Sequence, residues 1–311
     1  MKKHLLAYLL MGLMACPLVI SAATPQHRNK RQGGVKKELC LQLYSVRDLL
    51  NGINADGKAS AEWTSLLGRL HAMGYTSVEA ANYDQDKGTF YNRKPKQFKA
   101  DVEAAGMVLL SSHVSHNLSD EELAAADYSK ALKWWKKTIA DHKAAGMRYI
   151  VNPWIGEQKS LRDLDTYCRY LNEVGRMCRE EGISFGYHNH DYEFRKVEGQ
   201  VMYDYMLNHT SPEKVFFQMD MYWTVRGGCS PVEYFEKYPG RFHMFHCKDY
   251  REIGQSGMVG WDAIFRNARK AGLQYAVAEI EQYSMPVEQS VRQSAAYLLR
   301  QPFYKASYVS K

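Results

Sequence analysis

Apolar residues in this chain follow two rhythms, and the junction between them recurs. A run with helical spacing reaches a glycine, and a short apolar run starts at once: "LHAMGYTSVEA", "VEAAGMVLLSS", "HKAAGMRYIVN", "CREEGISFGYH" and "RKAGLQYAVAE". Glycine takes the left-handed conformation just past a helix end without steric cost. Each junction therefore predicts a helix closing and a buried strand opening. The whole pattern predicts strands near 38–45, 76–81, 107–113, 148–153, 183–190, 215–220, 241–248 and 275–281. Helices fill the intervals; over 129–145, for example, Leu132, Trp135, Ile139 and His142 fall near one stripe.

Successive strands begin roughly thirty to forty residues apart, the size of a βαβ repeat. Eight such units without a long linker read as α/β, a single (β/α)8 TIM barrel. An open doubly wound sheet is disfavoured, because "LQLYSVRD" at the first strand end carries no glycine and so no phosphate-binding turn. The barrel is expected to span 38–304, with a short tail at 305–311.

In such a barrel the chemistry sits at the carboxyl ends of the strands. Side chains alternate along a strand, which assigns an inward row to each. Strand 2 then offers Glu79, and strand 3 His113, with His116 just beyond and expected at the surface. Strand 5 offers His188 and His190, strand 6 Asp220, strand 7 His246 and Lys248, and strand 8 Glu279 and Glu281. Each has a bland alternative: Asp220 as a loop cap, Glu79 and His113 as a structural couple, Lys248 pointing to water. Together they are harder to dismiss. Burying so many ionisable groups without a counter-charge costs several kcal/mol each, and one divalent cation relieves it. A mixed imidazole and carboxylate set suits manganese, zinc, cobalt or iron(II).

Composition changes this picture little. At 45% hydrophobic residues the chain can build a core. The formal charge of +7 is partly carried by Lys2, Lys3 and the segment "HRNKRQGGVKK". No basic, aromatic-interleaved stripe tracks a phosphate backbone, so nucleic acid is not expected as a partner. Residues 1–23 have a charged start, an apolar run and small residues at Ser21, Ala22 and Ala23, the form of a signal peptide. Export to the periplasm or cell envelope is expected, with a basic linker over 24–37. "LMAC" allows a competing reading in which Cys16 carries a lipid anchor. The remaining cysteines, Cys40, Cys168, Cys178, Cys229 and Cys247, match no zinc or redox spacing and read as mostly buried thiols. Nothing in the pattern speaks to oligomeric state.

"LQLYSVRD", "YHNHDYEF", "MDMYW", "HCKD" and "AEIEQY" together resemble the sugar phosphate isomerase/epimerase family, with its xylose isomerase-like, AP-endonuclease-type barrel. The resemblance runs from about Glu38 to about Tyr304. It implies a metal held from strands 5 to 8, here by His188, Asp220, His246 and Glu279, with Glu281 a close rival of Glu279. The strand-5 position is commonly a glutamate in that family, so His188 is a departure that weakens a simple two-glutamate epimerisation. It brings the chain closer to members that act as dehydratases or lyases on keto-sugars.

The implied chemistry is proton abstraction beside a sugar carbonyl, with the metal stabilising the charge that develops. Glu281 or Glu79 is the expected base, His113 an acid, and Lys248 a binder of substrate oxygen. Tyr44, Trp154, His190, Tyr222 and Trp223 are expected to contact the sugar. Export favours an unphosphorylated sugar, keto-sugar or glycoside. Three rival readings stand beside this one: an abasic-site phosphodiesterase, which needs more metal ligands than the chain offers; a non-catalytic sugar-binding protein; and a metal-free glycosidase.

Overall fold

A computed structural model describes residues 36–50 and 60–308. The expected signal peptide, Cys16, all but the last two residues of the linker, and the last three residues of the tail lie outside the described residues. The strands are β1 (Cys40–Gln42), β2 (Ser77–Ala80), β3 (Val108–His113), β4 (Tyr149–Asn152), β5 (Ser184–His188), β6 (Val215–Asp220), β7 (Met244–Lys248) and β8 (Tyr275–Glu279). They close in sequence order into one parallel barrel, β8 pairing back to β1. The (β/α)8 expectation holds, as does the helix–glycine–strand signature. Gly74, Gly106, Gly146, Gly182 and Gly272 all have φ between 73° and 109°.

Strand ends differ from the expected spans. β1 stops at Gln42, and Leu43–Val46 is a turn of 3-10 helix whose start is capped by the Gln42 side chain. β5 stops at His188 and β8 at Glu279, so His190 and Glu281 lie on loops one step beyond the ladder. The helix expected at 129–145 spans Ser129–Ala144, with Trp135, Ile139 and His142 buried and Leu132 half-buried.

The lumen is a packed plug. Cys40, Leu110, Tyr149, Val151, Phe216, Met244 and Val277 form one inner cluster, separate from the larger core between strands and helices. Gly186 makes room for it: a Cβ there would lie 2.5 Å from the Phe216 ring. A register shift between β2 and β3 passes from the Val78↔Leu109 pair to Glu79↔Ser111, so Leu110 is the extra residue. Such a bulge re-aims side chains; Leu110 joins the plug, and Ser111 reaches Glu79. Above the plug the inner rows turn polar at Gln42, Glu79, Ser111 and Gln218, all buried.

The chain ends of the barrel are tied together. Lys37 donates to the Leu299 and Gln301 carbonyls, and Tyr304 donates to the Glu38 carbonyl. Among the described cysteines four are buried, Cys229 is half-buried, and none is in a disulfide. No helix of the described residues is long and apolar enough to cross a membrane.

Candidate metal centre and active site

The carboxyl ends of the strands surround a cavity of about 400 Å³ that Gln42, Tyr44, His113, His188, Glu279 and Glu281 help to line. Glu279 of that lining meets Asp220 and His246, and the three bring one ligand atom each within 4.8 Å of one another. His246 Nδ1 faces both acids, 3.1 Å from Asp220 Oδ2 and 3.9 Å from Glu279 Oε2. Neighbouring strands set this up: Asp220 pairs in register with His246, and Lys248 with Glu279.

These three residues fit a divalent cation. All are buried. Glu279 accepts no hydrogen bond among the described residues; its nearest positive groups are Lys248 Nζ at 3.6 Å and the His246 ring. Burial raises the Glu279 carboxyl, with Glu281 and Asp220 adding to the rise against the pull of His246 and Lys248. Burial also opposes charge on His246, but Glu279, Asp220 and Glu79 outweigh it and push the imidazole up to about 10. An imidazole driven to carry a proton between two carboxylates marks a place where positive charge is wanted, and a hard or borderline dication supplies it.

Asp220 holds two of its expected roles at once. Its Oδ1 accepts from Trp223 N at 2.7 Å, capping the helix Met221–Arg226, while Oδ2 faces His246. Asn189 accepts from the Asp220 amide and is held by Tyr203, which anchors the turn from below.

His188 does not join that three-residue cluster. It stands beside it in a second group with His113 and His246, its ring 4.5 Å from that of His246. The four expected ligands thus do not gather in one group. His188 Nδ1 bonds to Gln218 Oε1 at 3.0 Å, which fixes the ring against β6. Burial, and then the neighbouring imidazoles, hold His188 well below the usual histidine range.

Glu79 occupies a place unlike that of a base. It is fully buried and does not line the cavity. Its Oε1 accepts from Gln42 Nε2 at 2.9 Å and lies 3.0 Å from His113 Nε2; its Oε2 accepts from Ser111 at 2.7 Å and Gln218 Nε2 at 2.9 Å. Burial opposes its charge, yet His113 and His246 override it and hold the carboxyl well below the usual range. A carboxylate with every lone-pair direction engaged is a fixed anion, so the structural couple with His113 is the arrangement present.

Glu281 is different. It borders the cavity with its side chain 31% exposed, and its Oε2 lies 2.6 Å from Lys248 Nζ. Burial raises it, but Lys248 more than compensates and lowers it. Lys248 is buried, not in water; burial opposes its charge, and Glu279 and Glu281 keep it charged. Its ammonium sits 5.8 Å from the Tyr222 ring centroid and 5.7 Å from that of Trp223. Those two aromatics therefore support Lys248 and do not line the cavity, contrary to their expected sugar contacts.

Tyr44 lines the cavity and Trp154 directly follows its lining residue Pro153, each 43% exposed. Trp154 packs edge-on against His190, 5.3 Å between ring centroids. His190 borders the cavity, is lowered by burial, and has a buried Nδ1 without a hydrogen-bond partner. His116 is half-buried and stacks at 4.6 Å on Trp134, a cavity residue.

Gln218, Gln42, Ser111 and Glu193 were not singled out from the sequence. The first three sit on inward rows that alternation reaches, in "VFFQMD", "CLQ" and "LLSS", but neutral side chains carry no chemical flag. Glu193 accepts from Tyr187 Oη at 2.7 Å and from the His190 amide at 2.8 Å, fixing the loop that carries His190; burial pushes it up to about 7.

The sequence profile described as "Xylose isomerase-like TIM barrel" matches residues 67–301. A solved sugar phosphate isomerase/epimerase from Parabacteroides distasonis is 32% identical, covers 88% of this chain and 97% of its own, and superposes with a TM-score of 0.75. Another from the same organism is 34% identical, with 86% and 100% covered and a TM-score of 0.76. An L-ribulose 3-epimerase, 11% identical over 84% of this chain and 92% of its own, shares the fold at a TM-score of 0.64. So does the IOLI protein with a binding zinc atom, 15% identical, 84% and 97% covered, TM-score 0.61. No curated protein sequence matches the chain. With this profile, this barrel and these relatives, the chain belongs to the sugar phosphate isomerase/epimerase family of xylose isomerase-like TIM barrels, a family largely of enzymes.

Proposed function

We propose that this protein is an exported, metal-dependent isomerase or epimerase-like enzyme that moves the proton beside the carbonyl of an unphosphorylated sugar or keto-sugar. The observation that carries it is the adjacency of Asp220, His246 and Glu279 to the Glu281–Lys248 pair, with Glu279 and Glu281 lining the cavity. Asp220, His246 and Glu279 would hold one manganese, zinc, cobalt or iron(II) ion. Such an ion, when bound, acts as a Lewis acid that polarises a carbonyl oxygen.

Glu281 takes the carbon-bound proton and returns it. Its carboxylate is accessible, and the neighbouring ammonium keeps it ionised and ready to accept. Lys248, locked in place by two glutamates, supports Glu281 and places positive charge where an oxyanion develops. Tyr44 offers an exposed ring face to the sugar.

The signal-peptide-like segment at residues 1–23 favours a substrate without phosphate, since sugar phosphates are chiefly cytoplasmic.

A second reading, elimination from a keto-glycoside or keto-sugar, is favoured by His190. Its ring borders the cavity with an unpartnered Nδ1, so it can take up the proton that Glu281 removes from carbon and pass it to a departing oxygen. One experiment covers both. Protein loaded with manganese or zinc is incubated in deuterated water with a panel of keto-sugars and glycosides. Deuterium entering beside the carbonyl without loss of mass supports isomerisation or epimerisation; deuterium with release of water or aglycone supports elimination. Turnover that persists after thorough chelation and in Asp220→Ala overturns the proposal.

A further inference from the structure

Glu79 and Gln218 lie inside the barrel, and neither belongs to the Asp220–His246–Glu279 group. Their mutual orientation is fixed by hydrogen-bond chemistry. A carboxylate only accepts, so the group 2.9 Å from Glu79 Oε2 is the Gln218 NH2. The amide oxygen then faces the opposite way, 3.0 Å from His188 Nδ1 and 2.7 Å from His113 Nε2. An amide oxygen cannot donate. Both ring nitrogens must therefore carry their protons, and a neutral imidazole has only one. The other nitrogen of His188, Nε2, is left with its lone pair, on a ring that lines the cavity.

We infer that Glu79 is a positioning residue that acts through Gln218 to set the tautomer of His188, leaving the unprotonated Nε2 as a lone-pair acceptor toward whatever occupies the cavity. The inference deepens the site proposed above and takes from it only the cavity that His188 lines. Its chain of contacts is closed at the far end. Gln42 and Ser111 donate to the two Glu79 oxygens, so the carboxylate has no freedom to turn. The same relay puts the His113 proton on Nε2, shared between Gln218 Oε1 and Glu79 Oε1.

The relay predicts an effect at a distance. In Glu79→Gln, the new amide still meets Gln42 donating at one end, so its oxygen stays there and its NH2 faces Gln218. Gln218 then turns its oxygen toward residue 79 and its NH2 toward the histidines. His188 Nδ1 must accept, and its proton moves to Nε2. The test is long-range proton–nitrogen correlation NMR on chelated, metal-free protein labelled at histidine nitrogens. The His188 signals are assigned by their loss in His188→Gln. Wild type should show the proton on Nδ1, Glu79→Gln should show it on Nε2, and Gln218→Leu should show both tautomers. A wild-type spectrum with the proton on Nε2 overturns the inference even if neither variant folds, as does a folded Glu79→Gln that keeps the wild-type tautomer. Because no metal or turnover enters, failure here leaves the deuterium-exchange test standing, and failure there leaves this result intact.

Discussion

Asp220→Asn separates the two jobs of one side chain. Asparagine is as good a helix cap as aspartate, so the bond from Trp223 N, 2.7 Å in the parent, should survive. What is lost is the negative charge 3.1 Å from His246 Nδ1. Groups one step removed from a metal cost about 10–100-fold in affinity when changed. Removing a direct carboxylate should therefore cost at least about 100-fold, or about 2.7 kcal/mol. Calorimetric titration of chelated protein with manganese or zinc measures this directly. The same titration carries an internal check. Without an ion His246 is held protonated up to about 10 by Glu279, Asp220 and Glu79 against burial. Binding at neutral pH must then release that proton, visible as a dependence of the heat on buffer ionisation, and affinity should rise with pH. Asp220→Asn should shrink the release. Asp220→Ala should add a cap loss of about 1 kcal/mol, which lowers the melting temperature of the metal-free protein by about 2–4 °C for a chain of this size. An Asp220→Asn protein that binds the ion within about threefold of wild type, a difference under about 1 kcal/mol, would refute the assignment.

Three further outcomes follow from the same contacts. Lys248→Met removes the ammonium that lowers Glu281; the carboxyl rises, and the acid limb of the kcat/KM profile should move to higher pH, whereas an unmoved limb points to another base. Glu193, ordinarily near 4.5, is pushed up to about 7 by burial. A group raised on folding contributes stability that is lost as pH climbs from its unfolded to its folded value. Thermal stability should therefore fall between about pH 4.5 and 7, and Glu193→Gln should flatten that step; an equal slope in both proteins dismisses it. Gly186→Ala sets a methyl 2.5 Å from the Phe216 ring in the lumen. It should cost about 1–3 kcal/mol in urea unfolding, recovered in part by adding Phe216→Leu, and an unchanged midpoint would mean that the plug yields.

The barrel was legible because its signal is repeated. Five helix–glycine–strand junctions report the same backbone event, and alternation along each strand then assigns the inward rows without knowledge of any contact. Asp220, His246, Glu279 and Lys248 were reachable in this way. What alternation cannot supply is height along the barrel axis. Glu79 and Glu281 are both inward acids in the sequence, yet the first lies below the cavity under four donors and the second stands at its edge. The difference comes from where each strand stops and from the bulge at Leu110, neither of which has a sequence period. Tyr222 and Trp223 fail for a related reason: beyond Asp220 the chain turns into a helix at once, so strand parity no longer says where a ring points.

The same distinction explains why the polar interior is tolerable. Moving up the lumen, the apolar plug meets a layer in which one ionised carboxylate, Glu79, is matched by neutral donors from β1, β3 and β6 and by His113. That layer is satisfied within itself, as a buried network must be. The layer above is not: among the described residues Glu279, His190 Nδ1 and His246 Nε2 have no hydrogen bond, His246 Nε2 standing 3.6 Å from Glu79 Oε1. Unsatisfied groups cost stability, and these three stand together at the carboxyl ends of the strands, above a layer that holds them in place. A fold under selection for stability alone would fill those positions with the residues of the plug. Their place at the mouth, ionisable and beside one cavity, is the physical reason to look there for ion and substrate, and the layer beneath is the reason their positions are fixed before either arrives.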